Sequence, residues 1–274
     1  MMSEDLNNCT LVVASTDINE DIWPLFFETL CSNWKCCRLP IMLVTQTKSF
    51  KYMDLNISRP SCNLNNKTWS ERLIVALNDI QTEYVLLMCD DYFFTDSVNT
   101  EQLNELISWM EEDKSINVLY FETFPQMGAT SDKYPYFVQR PECCKYRMNC
   151  QTALWRKQIL LSILRPHENP WELEILGSKR IKHHEGKFYA LTEKKYSPIQ
   201  YSRVGVLVKG RWVEKEIKPL AEKYGWVIDY NKRNYYSKND NLSLMGRIFS
   251  FISKCLKSIK IRITYIRDYR KSMR

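Results

Sequence analysis

From Thr10 onward, short apolar runs alternate with stretches in which apolar side chains recur at helical spacing. Residues 11–15 (LVVAS) predict a strand ending at Thr16 and Asp17, and residues 20–32 fit a helix. A second strand, 41–45, follows Pro40. After an Asn-rich stretch, Thr68-Trp69-Ser70-Glu71 has the form of a capping box. The helix it opens places Leu73, Ala76, Leu77 and Ile80 on one face. The unbroken apolar run YVLLMC at 84–89 is of strand length, as expected of a strand covered on both faces in a parallel sheet, and it stops at Asp90-Asp91. The pattern repeats: Thr100 is a plausible N-cap, Leu103, Leu106, Ile107 and Met110 form a helical stripe ending near Asp113, and residues 117–122 (NVLYFE) predict another strand. Further on, 204–208 reads as a strand leading into Lys209-Gly210-Arg211-Trp212, and 214–224 as a helix stopped by Gly225. Strand and helix in alternation predict an α/β fold with a parallel sheet, whose ligands bind at the carboxyl ends of the strands. Asp17 and Asp90-Asp91 fall there. No internal repeat or low-complexity segment interrupts the pattern.

Composition sharpens this. The chain has 274 residues, 35 of them aromatic, against 7 Gly and 10 Pro, which is enough for a large core and excludes disorder. Its ten cysteines contain no CxxC pair, which argues against a zinc ribbon. The vicinal pairs Cys36-Cys37 and Cys143-Cys144 are expected as buried thiols of a reducing compartment. The net charge of +7 is a property of one end: residues 242–274 hold nine Lys or Arg and one Asp, leaving 30 basic and 31 acidic residues in 1–241. The body, 1–241, is thereby no general polyanion binder. In the tail, Ile248, Phe249, Phe251, Ile252, Leu256 and Ile259 stand among the cations. That is the composition of a helix lying in an anionic membrane interface, with RNA as the competing partner. The apolar residues favour lipid, so no nucleic-acid partner is expected. With no apolar run of spanning length and no secretory signal at the start, the expected location is cytoplasmic.

Two places carry candidate chemistry. Two carboxylates at the end of a buried strand repel one another, and a divalent cation carrying a nucleotide diphosphate would neutralise them, since Mg²⁺ takes one or two carboxylates and fills its shell with phosphate and water. The bland alternative is one Asp capping a turn and the other solvated. Asn169-Pro170 is a helix start, with Asn as N-cap and Pro as N1, which puts Glu172 where its carboxylate can complete a capping box. An acid opening a helix beside an aromatic ring can also act as a general base. The turn around Gly210 could hold phosphate or be an ordinary solvated turn. His167, His183 and His184, the only histidines, lack metal-binding spacing.

The segments TEYVLLMCDDYFF (82–94), WSERLIVAL (69–77), QTALWRKQILLSILRPHENPWELEILGSKR (151–180) and VKGRW (208–212) resemble GT-A type glycosyltransferases of bacterial capsule and O-antigen loci. The resemblance covers about residues 10–225. It implies a GT-A (Rossmann-like nucleotide-diphospho-sugar transferase) fold over 1–241, with 242–274 as a basic, helical, membrane-peripheral extension. It also implies a nucleotide-sugar donor, UDP-sugar first, with Mg²⁺ or Mn²⁺. The acidic motif departs from the D-x-D form, because Cys89 precedes Asp90-Asp91 and Tyr92 follows. By the resemblance, Asp91 ligates the metal, Asp90 belongs to the acidic motif that binds the ribose and metal-diphosphate, Arg72 lies near the pyrophosphate or Asp90, and Thr16 and Asp17 contact the nucleobase; Lys209 and Arg211 are the phosphate candidates of the Gly210 turn. Glu172, and after it Glu174, is the catalytic base of an inverting transfer. Asp17 as a mere cap and Arg72 as a surface residue are the plain alternatives. The activity implied is transfer of a sugar to a lipid-linked oligosaccharide acceptor on the inner face of the plasma membrane. The competing expectation is a noncatalytic sugar-nucleotide or glycan-binding module that assembles other enzymes there.

Overall fold

The computed structural model describes residues 8–35, 37–125, 128–237 and position 263; of the expected membrane tail, 242–274, all but that one position lies outside the described residues. The chain divides into two compact units at Val206/Leu207.

The first unit is α/β, as the sequence predicts. Its eight-stranded sheet has the order β3-β2-β1-β4-β7-β5-β8-β6. The strands are β1 Cys9–Ala14, β2 Ile41–Val44, β3 Ile57–Ser58, β4 Tyr84–Cys89, β5 Ile116–Tyr120, β6 Phe137–Gln139, β7 Ala153–Arg156 and β8 Lys187–Leu191. Strands β3, β2, β1 and β4 run parallel, as do β5 and β8, so their carboxyl ends share one edge. Strand β7 runs antiparallel between β4 and β5, setting Leu86 and Leu119 on either side of Leu154. Strand β1 is buried throughout and β4 as far as Met88, which is why both read as unbroken apolar runs rather than alternating ones.

One face of the sheet is covered by α2 (Trp69–Asp79) and α4 (Lys157–Ile163): Leu73, Ala76, Leu77, Leu160 and Ile163 share a cluster with Val12, Val85, Leu87, Val118 and Trp155. Helix α2 opens on the expected capping box, with Thr68 and Glu71 exchanging bonds, worth about 1 kcal/mol. The segment expected as one helix over 20–32 is a 3-10 turn, Asp17–Ile22, followed by α1, Trp23–Asn33. Pro24 at the start of α1 lacks the N–H a continuous helix would need there. Helix α3 spans Thr100–Glu112, and its N-cap is Asn99, not Thr100, because the Asn99 side chain accepts from the Gln102 N–H. Cys143 is exposed while Cys144 is buried, so the expectation of a buried vicinal pair holds for one member only.

The second unit contains a two-stranded antiparallel ribbon, β9 Leu207–Val208 with β10 Arg211–Trp212, and helix α6, Glu214–Tyr224, closed by Gly225 at φ 69°. Within it, Arg233 donates to the Gly210 carbonyl at 3.1 Å. The strand expected from 204 begins only at Leu207, because Ser202–Gly205 forms a turn in which Gly205 takes φ 79°. No described helix is long and apolar enough to cross a membrane.

Candidate active site

Strands β1, β2 and β4 end side by side, and their next residues bond across the edge. Ser15, following β1, accepts from Trp23 Nε1 at 2.8 Å and donates to Asp90 Oδ2 at 2.5 Å. Asn19 donates to both Asp90 oxygens, at 3.0 and 3.3 Å. Asp90, 4% exposed, is thereby fixed in place by the side chains of Ser15 and Asn19. Asp17 accepts from the backbone N–H of Gln46 (2.9 Å) and Thr47 (3.1 Å) and from the Thr47 hydroxyl (2.6 Å), which ties the ends of β1 and β2 together. Burial works to raise Asp17, but these bonds outweigh it and hold the group below the ordinary carboxylate range. Gln46 completes the join: its Nε2 donates to Thr16 Oγ1 at 2.8 Å, and its Oε1 accepts the Asp17 N–H at 2.6 Å.

Arg72 is buried, not a surface residue of α2. Its guanidinium donates to the Ser15 carbonyl at 3.3 Å and the Lys67 carbonyl at 3.1 Å, while its buried Nε has no hydrogen-bond partner among the described residues. Burial lowers its affinity for the proton and the nearby Asp17 charge opposes that. A cation is thus bonded to the backbone of Ser15, whose hydroxyl meets Asp90.

Asp91 differs from Asp90. It is partly open to solvent, yet burial and then the Asp90 charge push its carboxyl up to about 7. Near neutral pH it is divided between two protonation states and would be stabilised by any arriving positive charge. The segment after β8 passes alongside: Val206 N–H donates to the Asp91 carbonyl at 2.8 Å, Ser202 N–H to the Phe93 carbonyl at 2.9 Å, and Tyr201 packs on Tyr92 with ring centres 5.1 Å apart. Arg203 in this segment pairs with the buried Glu122, just beyond β5, at 2.9 Å.

The antiparallel β7 makes the last connection. Because it runs backwards, the residues that precede it arrive at the same edge where β4 ends. There Cys150 N–H donates to Glu174 Oε1 at 3.0 Å. Glu174 lies on α5, Pro170–Arg180, and burial raises its carboxyl despite that bond. Burial holds the Cys89 thiol well above its ordinary value, and the charges of Asp91, Cys150, Asp90 and Glu174 add to it. Asp91 and Glu174 therefore both act on the Cys89 thiol, and Glu174 acts also on Cys150, whose thiol burial likewise pushes up. Glu172, the first candidate base, completes a capping box: Asn169 N–H donates to its Oε2 at 3.1 Å and its own N–H donates to Asn169 Oδ1 at 3.0 Å.

Among the described residues, no group of three or more His, Cys, Asp or Glu is arranged to hold a metal ion. A cation here would take a single protein carboxylate, Asp91, and complete its shell from a ligand and water. That donor set suits Mg²⁺ or Mn²⁺ borne on a diphosphate, and the raised Asp91 carboxyl is a site that gains from such a charge. Lys209 and Arg211 belong to the second unit and flank Gly210 on the β9–β10 turn, where Lys209 takes φ 53°. Sequence reasoning missed Ser15, Asn19, Gln46, Glu122, Cys150 and Arg203. Each acts through a partner far along the chain, and only position as the last residue of a predicted strand could have flagged Ser15 and Glu122.

No family model and no curated protein matches the sequence. Among solved structures, the chain is similar to S. aureus TarS 1–349, at 15% identity and TM-score 0.45, covering 70% of this chain and 59% of that one. It is also similar to the same protein in complex with UDP-GlcNAc, at 16% identity and TM-score 0.47, covering 70% and 57%. The chain thus spans less than two thirds of the proteins it matches.

Proposed function

We propose that the protein transfers a glycosyl group from a nucleotide-diphosphate sugar to an acceptor hydroxyl. The observation that carries this reading is the pairing, at one sheet edge, of a carboxyl raised to about 7 (Asp91) with a second raised carboxyl on a separate helix (Glu174). A carboxyl raised by burial is a stronger proton acceptor than an ordinary one, which is what a general base needs.

In this mechanism Asp91 would hold a Mg²⁺ or Mn²⁺ ion, which when bound would supply positive charge to the leaving diphosphate. Asp90, already bonded to Ser15 and Asn19, keeps the end of β4 in register with β1. The joined ends of β1 and β2, with Thr16, Asp17 and Gln46, form the floor for the nucleoside. Arg72 supports the diphosphate side from behind. Glu174 removes the acceptor hydroxyl proton, the oxygen attacks the anomeric carbon from the opposite face, and the bond to the diphosphate breaks with its electron pair going to the leaving group. This single displacement inverts the centre. Glu172 serves by fixing the start of α5. Lys209 and Arg211 are assigned to phosphate contacts, UDP-sugar to the donor, and a lipid-linked glycan at an anionic membrane surface to the acceptor.

The test is thermal stabilisation by a panel of nucleotide sugars, with and without chelator, followed by donor hydrolysis in the absence of acceptor. At least one donor should raise Tm in a chelator-sensitive way and be slowly hydrolysed. Stabilisation without any turnover would support a binding module instead, and indifference to every donor would overturn the reading.

A further inference from the structure

Helix α5 carries more than Glu174. Residues 171, 174, 175, 178 and 182 recur at close to 3.6-residue spacing, so Trp171, Glu174, Ile175, Ser178 and Lys182, the last in the 3-10 turn Ile181–His183, fall on one stripe. At one end Trp171 is 74% exposed. Toward the other, the stripe runs into a cavity of about 440 Å³, lined by Ser178, Lys179 and Lys182 on one side and Glu142, Lys145 and Tyr146 on the other. The lining holds three lysines and one acid. Behind it, Arg140 and Arg147 are buried, at 2% and 1% exposure, and their charges act on Cys144 in the cavity wall. Arg147 is fixed there by the Ile181 carbonyl at 2.6 Å and stacks over the Phe188 ring.

The cavity is joined to Glu174 by structure. The strand of chain 148–150 runs along α5: Cys150 N–H bonds Glu174, and Met148 N–H bonds Ser178 Oγ at 3.0 Å, which in turn donates to the Glu174 carbonyl at 2.6 Å. At 1.5 Å of rise per residue, Ser178 stands about 6 Å and Lys182 about 12 Å along the axis from Glu174. A group bound in the cavity is therefore near enough to belong to the molecule whose hydroxyl Glu174 would deprotonate.

We infer that this cavity is a subsite for an anionic phosphate or diphosphate group on the acceptor. The inference rests on the transferase reading for the word acceptor, while anion binding itself does not. A cavity with an excess of cations and a buried guanidinium pair behind it concentrates negative ligands. It lies away from the strand ends that would hold the donor, so it adds a second anion site to the molecule.

The test is calorimetric titration of the full chain with inorganic pyrophosphate in the presence of saturating UDP, which closes the donor side to the probe. Pyrophosphate should bind beside UDP and weaken with salt. The variant Lys145→Glu/Lys182→Glu should bind it about tenfold more weakly or worse, with UDP affinity unchanged, and Lys51→Glu should match the wild type. Should the double variant fail to fold, Lys182→Gln at this exposed position should still lose several-fold. Glucose 1-phosphate in the same titration separates the sources: tighter binding of the monophosphate assigns the site to a phosphate within the glycan, and tighter binding of pyrophosphate to the diphosphate of a lipid link. No pyrophosphate binding beside UDP, or equal binding by the double variant, would overturn the inference. If UDP itself does not bind, the assignment of UDP-sugar as donor falls, and the same variants titrated without UDP still decide the cavity.

Discussion

Glu172 and Glu174 are two positions apart, and their carboxyls have opposite occupations. The first is spent on the N–H of Asn169 at the start of α5, while the second is buried against Cys150 with its proton affinity raised. Glu174→Gln should lower kcat by roughly 10² to 10⁴ with donor affinity nearly unchanged, whereas Glu172→Gln, which keeps an acceptor for the Asn169 N–H, should retain most of kcat. Steady-state kinetics with a fixed donor decides between them, and the reverse ranking would return the base to Glu172. Asp91 gives a second prediction, with a sign set by linkage. Its folded-state carboxyl is raised to about 7 from the ordinary carboxylate range, so the stability it contributes is present in acid and is lost as pH rises through 7. Asp91→Asn should therefore abolish transfer yet be more stable than the wild type above about pH 7, by at most about 4 kcal/mol, with the gain fading toward pH 4. Urea unfolding at pH 5 and pH 8 measures it, and a variant less stable at pH 8 would contradict the raised carboxyl. At this scale the sequence disclosed what is local. Both capping boxes and the Asp-Asp pair at a strand end could be read directly, because their partners lie within three residues. The bonds that distinguish Asp90 from Asp91 come from Ser15 and Asn19, over seventy positions away, and no spacing encodes them.

Among the elements, the parallel strands were legible because burial on both faces leaves an unbroken apolar run. Strands β6, β7 and β8 were not. The four residues of β7, ALWR, end on a partly buried arginine that pairs with Glu83, and they pass directly into α4 with no turn signal between. Helix α5 was legible at its start but not in its approach to the chain 148–150. Gly177 sets that approach: a Cβ there would come within 2.9 Å of Met148 Cγ and 3.3 Å of Ile163 Cγ2. Gly177→Ala gains about 1 kcal/mol of helix propensity and loses about 1–3 kcal/mol to overpacking. The expected net effect is a modest loss of stability in urea unfolding. A larger relative loss of kcat should accompany it, because the displaced segment carries the Cys150 N–H that holds Glu174. A variant both more stable and fully active would mean that the spacing is not set by this glycine.

Across the whole molecule, charge separates from fold. Residues 1–241 are close to neutral, and the excess of cations belongs to 242–274. Deleting 242–274 should leave donor hydrolysis intact while abolishing sedimentation with anionic vesicles. In the full chain, vesicle binding should weaken with salt, since each basic residue near such a surface contributes about 1 kcal/mol that ions screen within a Debye length. Equal vesicle binding by the shortened chain would assign the tail to another partner. The sheet order carries a consequence for synthesis. Strand β7 is made after both strands it separates, so while residues 121–152 are being added, β4 and β5 are complete yet share no partner on their facing sides. For that interval the growing chain presents two unpaired apolar borders, YVLLMC and INVLY, in a form that favours joining to another chain. Chains halted between 121 and 152 should aggregate, and those extended past 191, where β8 is also complete, should not. The reversed strand that brings Cys150 to Glu174 is thus also the piece whose late arrival makes the nascent protein adhesive.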